Sequence, residues 1–301
     1  MGESTSGSRS VVSDEDPKKS IGLLDLLTRD RYVPVGAALR RSVERARVAD
    51  ELGFDSYWFG EHHVARAASV SPQSLIAAVG ASTKRIILGA GGILLRYQNP
   101  LKVASDFNTL AHLFSGRINL GIAAGSVAPR RAERLASYPP GSDFAERVSA
   151  LIGAFESDDP DAAAIPRAPA RGDPAIWMLS SGGGTADIAA EKGLPVLFAL
   201  FLTNVEQVRK GIDRYVSGFV SALPGQQPKW GIAVAVGTGD MSDSYSPQAV
   251  RVSACGEATF CAETAYELAS SLAASVLLLL DVTPQDQVMS RTSAFAQTLL
   301  S

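Results

Sequence analysis

Eight short apolar runs recur along this chain, each followed by a stretch with helical spacing, and nothing else in the sequence restricts the fold so strongly. The runs cover 21–27, 56–59, 86–90, 118–123, 175–179, 195–200, 230–236 and 276–280. Most are apolar without alternation, as in parallel strands covered on both faces. The helical stretches read as 37–52, 72–82, 100–114, 144–155, 185–192, 205–220, 259–272 and 286–300. In the first, Leu39, Val43, Ala46, Ala49 and Leu52 recur at three- and four-residue spacing, and Gly53 ends it. Ser71 and Asn99 each precede a proline at the next two helix starts and are expected to cap them.

Strand and helix in alternation, with no break in composition between the halves, predict an α/β fold of the closed (β/α)8 kind, a TIM barrel, over residues 20–301. A doubly wound open sheet is the alternative. It usually carries a Gly-rich dinucleotide turn after its first strand, whereas this first strand runs into Asp25-Leu26-Leu27-Thr28-Arg29. Residues 1–19 are Ser-rich and charged with no apolar stretch, so they read as a disordered N-terminal tail and not as a secretory signal.

The formal net charge of −3 gives no basis for a nucleic-acid or anionic-membrane partner. The two cysteines, Cys255 and Cys261, have neither the spacing of a zinc or redox site nor the number for a disulfide framework, so a reduced cytoplasmic protein is expected, with no metal site. The apolar runs 194–202 and 273–280 fall short of the roughly 20 residues a spanning helix needs and fit buried strands instead.

A barrel of this kind carries its active site at the C-terminal ends of its strands. Past the second strand stand Glu61-His62-His63, two of the three histidines of the chain side by side. Imidazole titrates near neutrality, so it can give or take a proton or stay neutral and donate. Past the third strand come Gly89-Ala90-Gly91-Gly92, whose missing side chains would let something flat approach the backbone. The fourth delivers Gly121-Ile122-Ala123-Ala124-Gly125-Ser126, again small residues. The fifth delivers Ser180-Ser181-Gly182-Gly183-Gly184-Thr185 directly before a helix. There, free backbone N–H groups, flanking hydroxyls and the helix dipole suit an anion such as phosphate. His112 reads as a surface or packing histidine, and Tyr32, Trp58, Phe198, Phe201 and Trp230 as possible apolar lining.

With these segments in place the chain resembles the bacterial luciferase-like flavin-dependent monooxygenases. The matching stretches are Gly53-Phe54-Asp55-Ser56-Tyr57-Trp58-Phe59-Gly60-Glu61-His62-His63, then Arg85-Ile86-Ile87-Leu88-Gly89-Ala90-Gly91-Gly92-Ile93-Leu94-Leu95, then Asn99-Pro100-Leu101. Ser115-Gly116-Arg117-Ile118-Asn119-Leu120-Gly121 and Ala189-Ala190-Glu191-Lys192-Gly193-Leu194-Pro195 follow in family order. The resemblance implies a barrel that holds reduced FMN at its mouth, with oxygen adding at the flavin C4a to oxidise an aldehyde, ketone or aromatic substrate. It makes His62 the catalytic histidine, a proton donor or hydrogen-bond partner at the flavin's reacting edge. It places Gly91 and Gly92 under the isoalloxazine, where the family often has a non-proline cis peptide. Ser181, Gly182, Gly183 and Thr185 then correspond to the phosphate-cradling turn. It also implies a separate flavin reductase and a homodimer.

Two departures stand out. The family commonly places a phosphate-pairing arginine after the fourth strand, where this chain has Ala123 and Ala124; Arg130 or Arg131 could substitute. The segments 126–142 and 237–256 look shorter than the family's, so the substrate does not transfer. Two other readings stay open. One is F420-dependent hydride transfer on the same barrel; the other is a non-catalytic flavin-binding or partner-subunit homologue.

Overall fold

The computed structural model describes residues 18–29, 31–64, 66–125, 127–135, 143–157, 174–237, 250–283 and 286–301. Strand β1 (Ser20–Asp25) leads to helix α1 (Val35–Leu52), β2 (Ser56–Phe59) to α2 (Pro72–Gly80), and β3 (Ile87–Leu94) to α3 (Pro100–Leu113). β4 (Ile118–Ala123) is followed by a short helix α4 (Pro129–Leu135) and by α5 (Phe144–Glu156). β5 (Ala175–Ser180) leads to α6 (Gly184–Glu191), β6 (Val196–Ala199) to α7 (Val205–Ser217), and then comes β7 (Trp230–Gly237). β8 (Val252–Cys255) precedes α8 (Ala258–Ser271), and β9 (Val276–Asp281) precedes α9 (Val288–Leu299).

All pairings between these strands are parallel, in the order β6-β5-β4-β3-β2-β1-β9-β7, and β6 also pairs with β7 from Val196↔Trp230 to Ala199↔Ala233. That last ladder closes the ring, giving the eight-stranded (β/α)8 barrel. The expected tail falls outside the described residues up to position 17; at its inner end Lys19 is buried, with its ammonium 5.1 Å from the centre of the Tyr266 ring.

β8 was not foreseen. In the sequence 237–256 is an excursion after the seventh strand, yet Val252–Cys255 pairs with the end of β7, with Ala235 opposite Val252 and Gly237 opposite Cys255. The reason is an unfilled edge. β6 ends at Ala199, where the chain tightens into a 3₁₀ turn (Leu200–Leu202), so the last residues of β7 would lack a neighbour on that side. Buried backbone groups must be paired, and β8 supplies the pairing.

Local chemistry explains the remaining boundaries. Gly53 ends α1 at φ 91°, a left-handed position that glycine occupies without the Cβ penalty. Asn99 caps α3 as expected, its side chain accepting from the N–H groups of Leu101 and Lys102. Ser71 stands at the N-cap position of α2 but makes no capping bond; its hydroxyl pairs with Ser74 Oγ at 2.9 Å. Asp50, at the end of α1, accepts the N–H groups of Lys84, Arg85 and Ile86 and so docks the approach to β3.

Two apolar clusters follow from strand alternation. One lies between barrel and helices and includes Leu23, Tyr57, Phe59, Leu88 and Phe295. The other fills the barrel, with Leu24, Leu26, Trp58, Trp177, Leu197, Ala233, Leu278 and Leu280. Trp58 and Trp177 meet edge to face at 6.2 Å between centroids. The run 194–202 is β6 with its 3₁₀ turn, and 273–280 leads into β9. Among the described residues no helix is long and apolar enough to cross a membrane.

Candidate active site

The end of β2 carries the chain from a fully buried strand into Gly60, whose N–H donates to Asp25 O at 2.8 Å. Glu61 follows, and its side chain is wholly enclosed. Its Oε1 lies 2.7 Å from His63 Nε2 and accepts Gln98 Nε2 at 3.1 Å; its Oε2 accepts the Leu94 N–H at 2.9 Å. A buried carboxylate is costly unless its oxygens are filled, and these three donors fill them. The consequence is mechanical: Glu61 ties the loop after β2 to the end of β3 and to the turn beyond it. Arg147 of α5 holds that turn from outside through Gln98 O at 3.2 Å.

His62 sits between these bound neighbours and is itself mostly enclosed. Burial pushes its pKa below the usual histidine value, and the adjacent charge of His63 pushes the same way. The ring is therefore neutral at neutral pH, with one nitrogen to donate and one to accept. No hydrogen bond to another described residue engages it. His112, by contrast, lies exposed on α3.

The glycines of β3 and β4 have a structural occupant. A Cβ on Gly89 would sit on the Trp58 indole, and one on Gly91 would come within 2.9 Å of Leu24 Cδ1 and 3.2 Å of Trp58 Cβ. A Cβ on Gly121 would strike Ala90 O and Leu179, and one on Gly92 would lie 2.8 Å from Gly121 O. On this side the flat group that approaches the backbone is the chain's own tryptophan. β3 runs straight through the cluster, and the peptide bond between Gly91 and Gly92 is cis. The β3–β4 register shifts between Ala90 and Ile93 at the same place.

The turn from β5 to α6 is part closed and part open. Buried Ser180 accepts the Gly182 N–H at 3.1 Å, so that amide is already engaged. Gly182 has φ 98° and passes so close to Gln207 O that a Cβ would lie 2.8 Å from it. Gly183 and Gly184 meet nothing within 4 Å where a Cβ would stand, and Ser181 is exposed. The open part is a cradle of backbone N–H groups and hydroxyls at a helix start. Arg214 of α7 is paired with Asp187 in the first turn of α6.

Of the residues expected past the strand ends, the structure places His62 just beyond β2, Ala123 at the end of β4 and the Ser181–Thr185 turn beyond β5, whereas Gly91 and Gly92 lie inside β3 and not past it; β2 to β5 are adjacent strands. Ala123 is half-buried at the end of β4 and offers no charge, while Arg130 and Arg131 are exposed on α4. Of the aromatic residues, Trp58 lines the barrel interior and Phe201 packs with it. Phe198 belongs to the outer layer, Trp230 gives its indole N–H to Leu272 O, and Tyr32 is 88% exposed and lines nothing. Glu61 and Gln98 were not singled out from the sequence; only the adjacency of Glu61 to the histidines hinted at it. Among the described residues no group of three or more His, Cys, Asp or Glu could hold a metal ion.

Comparison with known proteins places this geometry. The luciferase-like monooxygenase profile matches residues 20–275. An N-acetyl-S-alkylcysteine monooxygenase of Bacillus subtilis is 32% identical over 206 residues, which is 66% of this chain and 61% of that protein. Two further Bacillus subtilis relatives are spanned over 67% and 63% of their length. The crystal structure of apo-MsnO8 matches with a TM-score of 0.77 at 25% identity, over 93% of this chain and 98% of that one. The oxygenating constituent of 3,6-diketocamphane monooxygenase from Pseudomonas putida, solved in complex with FMN, shares the fold with a TM-score of 0.72 at 16% identity, over 93% and 97% of the two chains.

Proposed function

Because the chain belongs to the luciferase-like monooxygenase family, we propose that it oxidises a small organic molecule with reduced FMN and O2. The observation that carries this reading is the buried, neutral His62, held between Glu61-anchored neighbours on the same rim as the open β5–α6 cradle. When bound, FMN supplies the activation of oxygen. The protein's own part is to orient, to exclude water and to handle a proton. His62 donates from its N–H to a developing negative charge, or holds a proton in transit, at the barrel mouth. Gly91 and Gly92 form the floor beside it.

The phosphate of FMN fits the turn Ser181-Gly182-Gly183-Gly184-Thr185 through the amides of Gly183 and Gly184 and the hydroxyls of Ser181 and Thr185. Gly182 contributes shape and not its amide, which Ser180 occupies. With Ala123 where a cation would stand, this is an uncharged cradle, and loose flavin binding follows. Loose binding suits a flavin that arrives reduced from a separate reductase, and the end of β1 has no nucleotide-binding turn of its own. We assign the chain to a homodimer in the reducing cytoplasm, in keeping with two free thiols, Cys255 and Cys261.

The test is an anaerobic titration with photoreduced FMN followed by tryptophan fluorescence, since Trp58 lies directly against Gly89 and Gly91. Saturable quenching is expected. Oxygen incorporation is then sought with reduced FMN and an N-acetyl-S-alkylcysteine as the first substrate, and His62→Ala is expected to abolish it. Quenching by reduced F420 and not by FMN would reassign the barrel to hydride transfer. Binding of neither would leave a non-catalytic homologue.

A further inference from the structure

Among the described residues two that are not glycine take a positive φ, Leu27 at 54° and Ala273 at 48°. Ala273 follows the last turn of α8, where left-handed backbone commonly ends a helix. Leu27 ends no helix. It stands two residues past β1 and is 1% exposed, a bulky side chain in a conformation that crowds its own Cβ. Such strain persists only where the surroundings impose it, and it clusters where function needs it.

Asp25 imposes it. Its Oδ1 accepts the Leu27 N–H at 2.8 Å, closing the tight turn that aspartate side chains favour. Its Oδ2 accepts the Tyr57 hydroxyl at 2.9 Å, which also meets Arg45 of α1, so the carboxylate is fixed from the barrel side. The Leu27 side chain is packed into the apolar layer between barrel and helices.

The turn sends the chain back along the histidine loop. Leu27 O accepts the Ala68 N–H at 2.6 Å, and Arg29 gives its N–H to Arg66 O at 3.0 Å. Between these bonds Thr28 and Ala67 face each other as an antiparallel bridge. On the near side Gly60 gives its N–H to Asp25 O. Residues 25–29 therefore grip the chain both before and after His62 and His63. The contact reaches His62 itself. A Cβ on Gly60 would stand 2.9 Å from Leu26 Cδ2 and 3.4 Å from His62 Cδ2, so the imidazole lies beside Leu26.

We propose that Asp25 and Leu27 are positioning residues for His62, a second fastening of the histidine loop, made to β1, beside the one that Glu61 makes to β3. The proposal rests on His62 as the group that handles the proton. Without the ladder, residues 66–68 would leave the turn after β1, and water would reach the ring that burial now keeps neutral.

Histidine titration followed by NMR on the free protein tests it, with amide exchange at Arg29 as the measure of the ladder. Asp25→Ala releases the Leu27 turn, and Ala68→Pro removes a ladder donor from the loop side. In both, the His62 pKa is expected to rise toward 6.5 and Arg29 exchange to quicken about tenfold or more. Tyr57→Phe breaks the other bond of Asp25 and keeps the turn, so it should lower the melting temperature and leave both readings in place. Should Asp25→Ala fail to fold, Ala68→Pro decides alone. An unmoved His62 titration in either folded variant, or a shift in Tyr57→Phe as large as theirs, overturns the proposal. With substrate supplied, kcat should fall about tenfold or more at an unchanged KM, since a misplaced reacting group lowers rate and not binding. Reduced FMN that binds neither the wild type nor any variant would remove the flavin assignment and leave the loop measurement standing.

Discussion

Glu61 and His63 face each other at 2.7 Å between Oε1 and Nε2, with neither side chain more than 5% exposed. The pair is two residues apart in sequence, yet it has meaning only through a third strand. Glu61 also binds the Leu94 N–H and the Gln98 side chain, so the histidine loop is fastened to the end of β3. His62 is thereby held in position by neighbours that it does not touch through hydrogen bonds.

Glu61→Gln keeps the shape but replaces one acceptor oxygen with a donor among three donors. Leaving a buried donor unmatched costs about 1–3 kcal/mol. Urea unfolding should show that loss, and activity should fall with it because the loop is released from β3. A variant as stable as the wild type would show that Glu61 does not organise the rim.

His62 makes stability depend on pH. Its pKa is lower in the folded protein than the ordinary 6.5, chiefly through burial and then through His63. Below about pH 6.5 the unfolded chain therefore binds the proton more readily than the folded one, and stability declines as pH falls toward the depressed value. His62→Gln removes this component, so its stability should decline less between about pH 7 and pH 5. Parallel curves for the two proteins would contradict the neutral assignment.

Gly89→Ala and Gly121→Ala should both destabilise the barrel, the first through Trp58 and the second, more severely, through the fixed carbonyl of Ala90. Overpacking of this kind costs about 1–3 kcal/mol. Gly183→Ala meets nothing within 4 Å and should change stability by less than about 0.5 kcal/mol. If the flavin phosphate approaches that backbone, the same change should weaken reduced-FMN binding while leaving the melting curve in place. Thermal denaturation and the anaerobic titration read the two effects separately.

Asp50 carries three backbone N–H groups on one carboxylate. Burial pushes its pKa up, but the bonds from Lys84, Ile86 and Arg85 outweigh burial and hold it below 3.8. Its contribution is thus present above about pH 4 and is lost as the solution is made more acid. Asp50→Ala should cost about 2–4 kcal/mol at neutral pH by orphaning the approach to β3. Hydrogen exchange at Lys84 to Ile86 should accelerate with it.

Much of the fold was legible because its determinants are local. Uninterrupted apolar runs marked the barrel strands, and Gly53 and Asn99 marked where α1 stops and α3 starts. β8 was not legible, since Val252-Ser253-Ala254-Cys255 has no pattern of its own and forms only because β7 has an unfilled edge. Ser71 shows the converse, a residue of the right type that bonds Ser74 instead of capping. In the candidate site the histidines announced themselves, while Glu61 depended on partners 33 and 37 positions away.

The sequence by itself determined the strand–helix alternation, the closed barrel and the end of it at which the histidines emerge, because periodic burial and backbone pairing are written in neighbouring residues. The tertiary structure decided what those residues meet. It filled the glycine gaps of β3 and β4 with Trp58, set Glu61 among three donors, and laid Thr28 against Ala67. Such meetings depend on packing between elements distant in the chain, where a shift of one helical turn would separate the groups, and no local spacing records them.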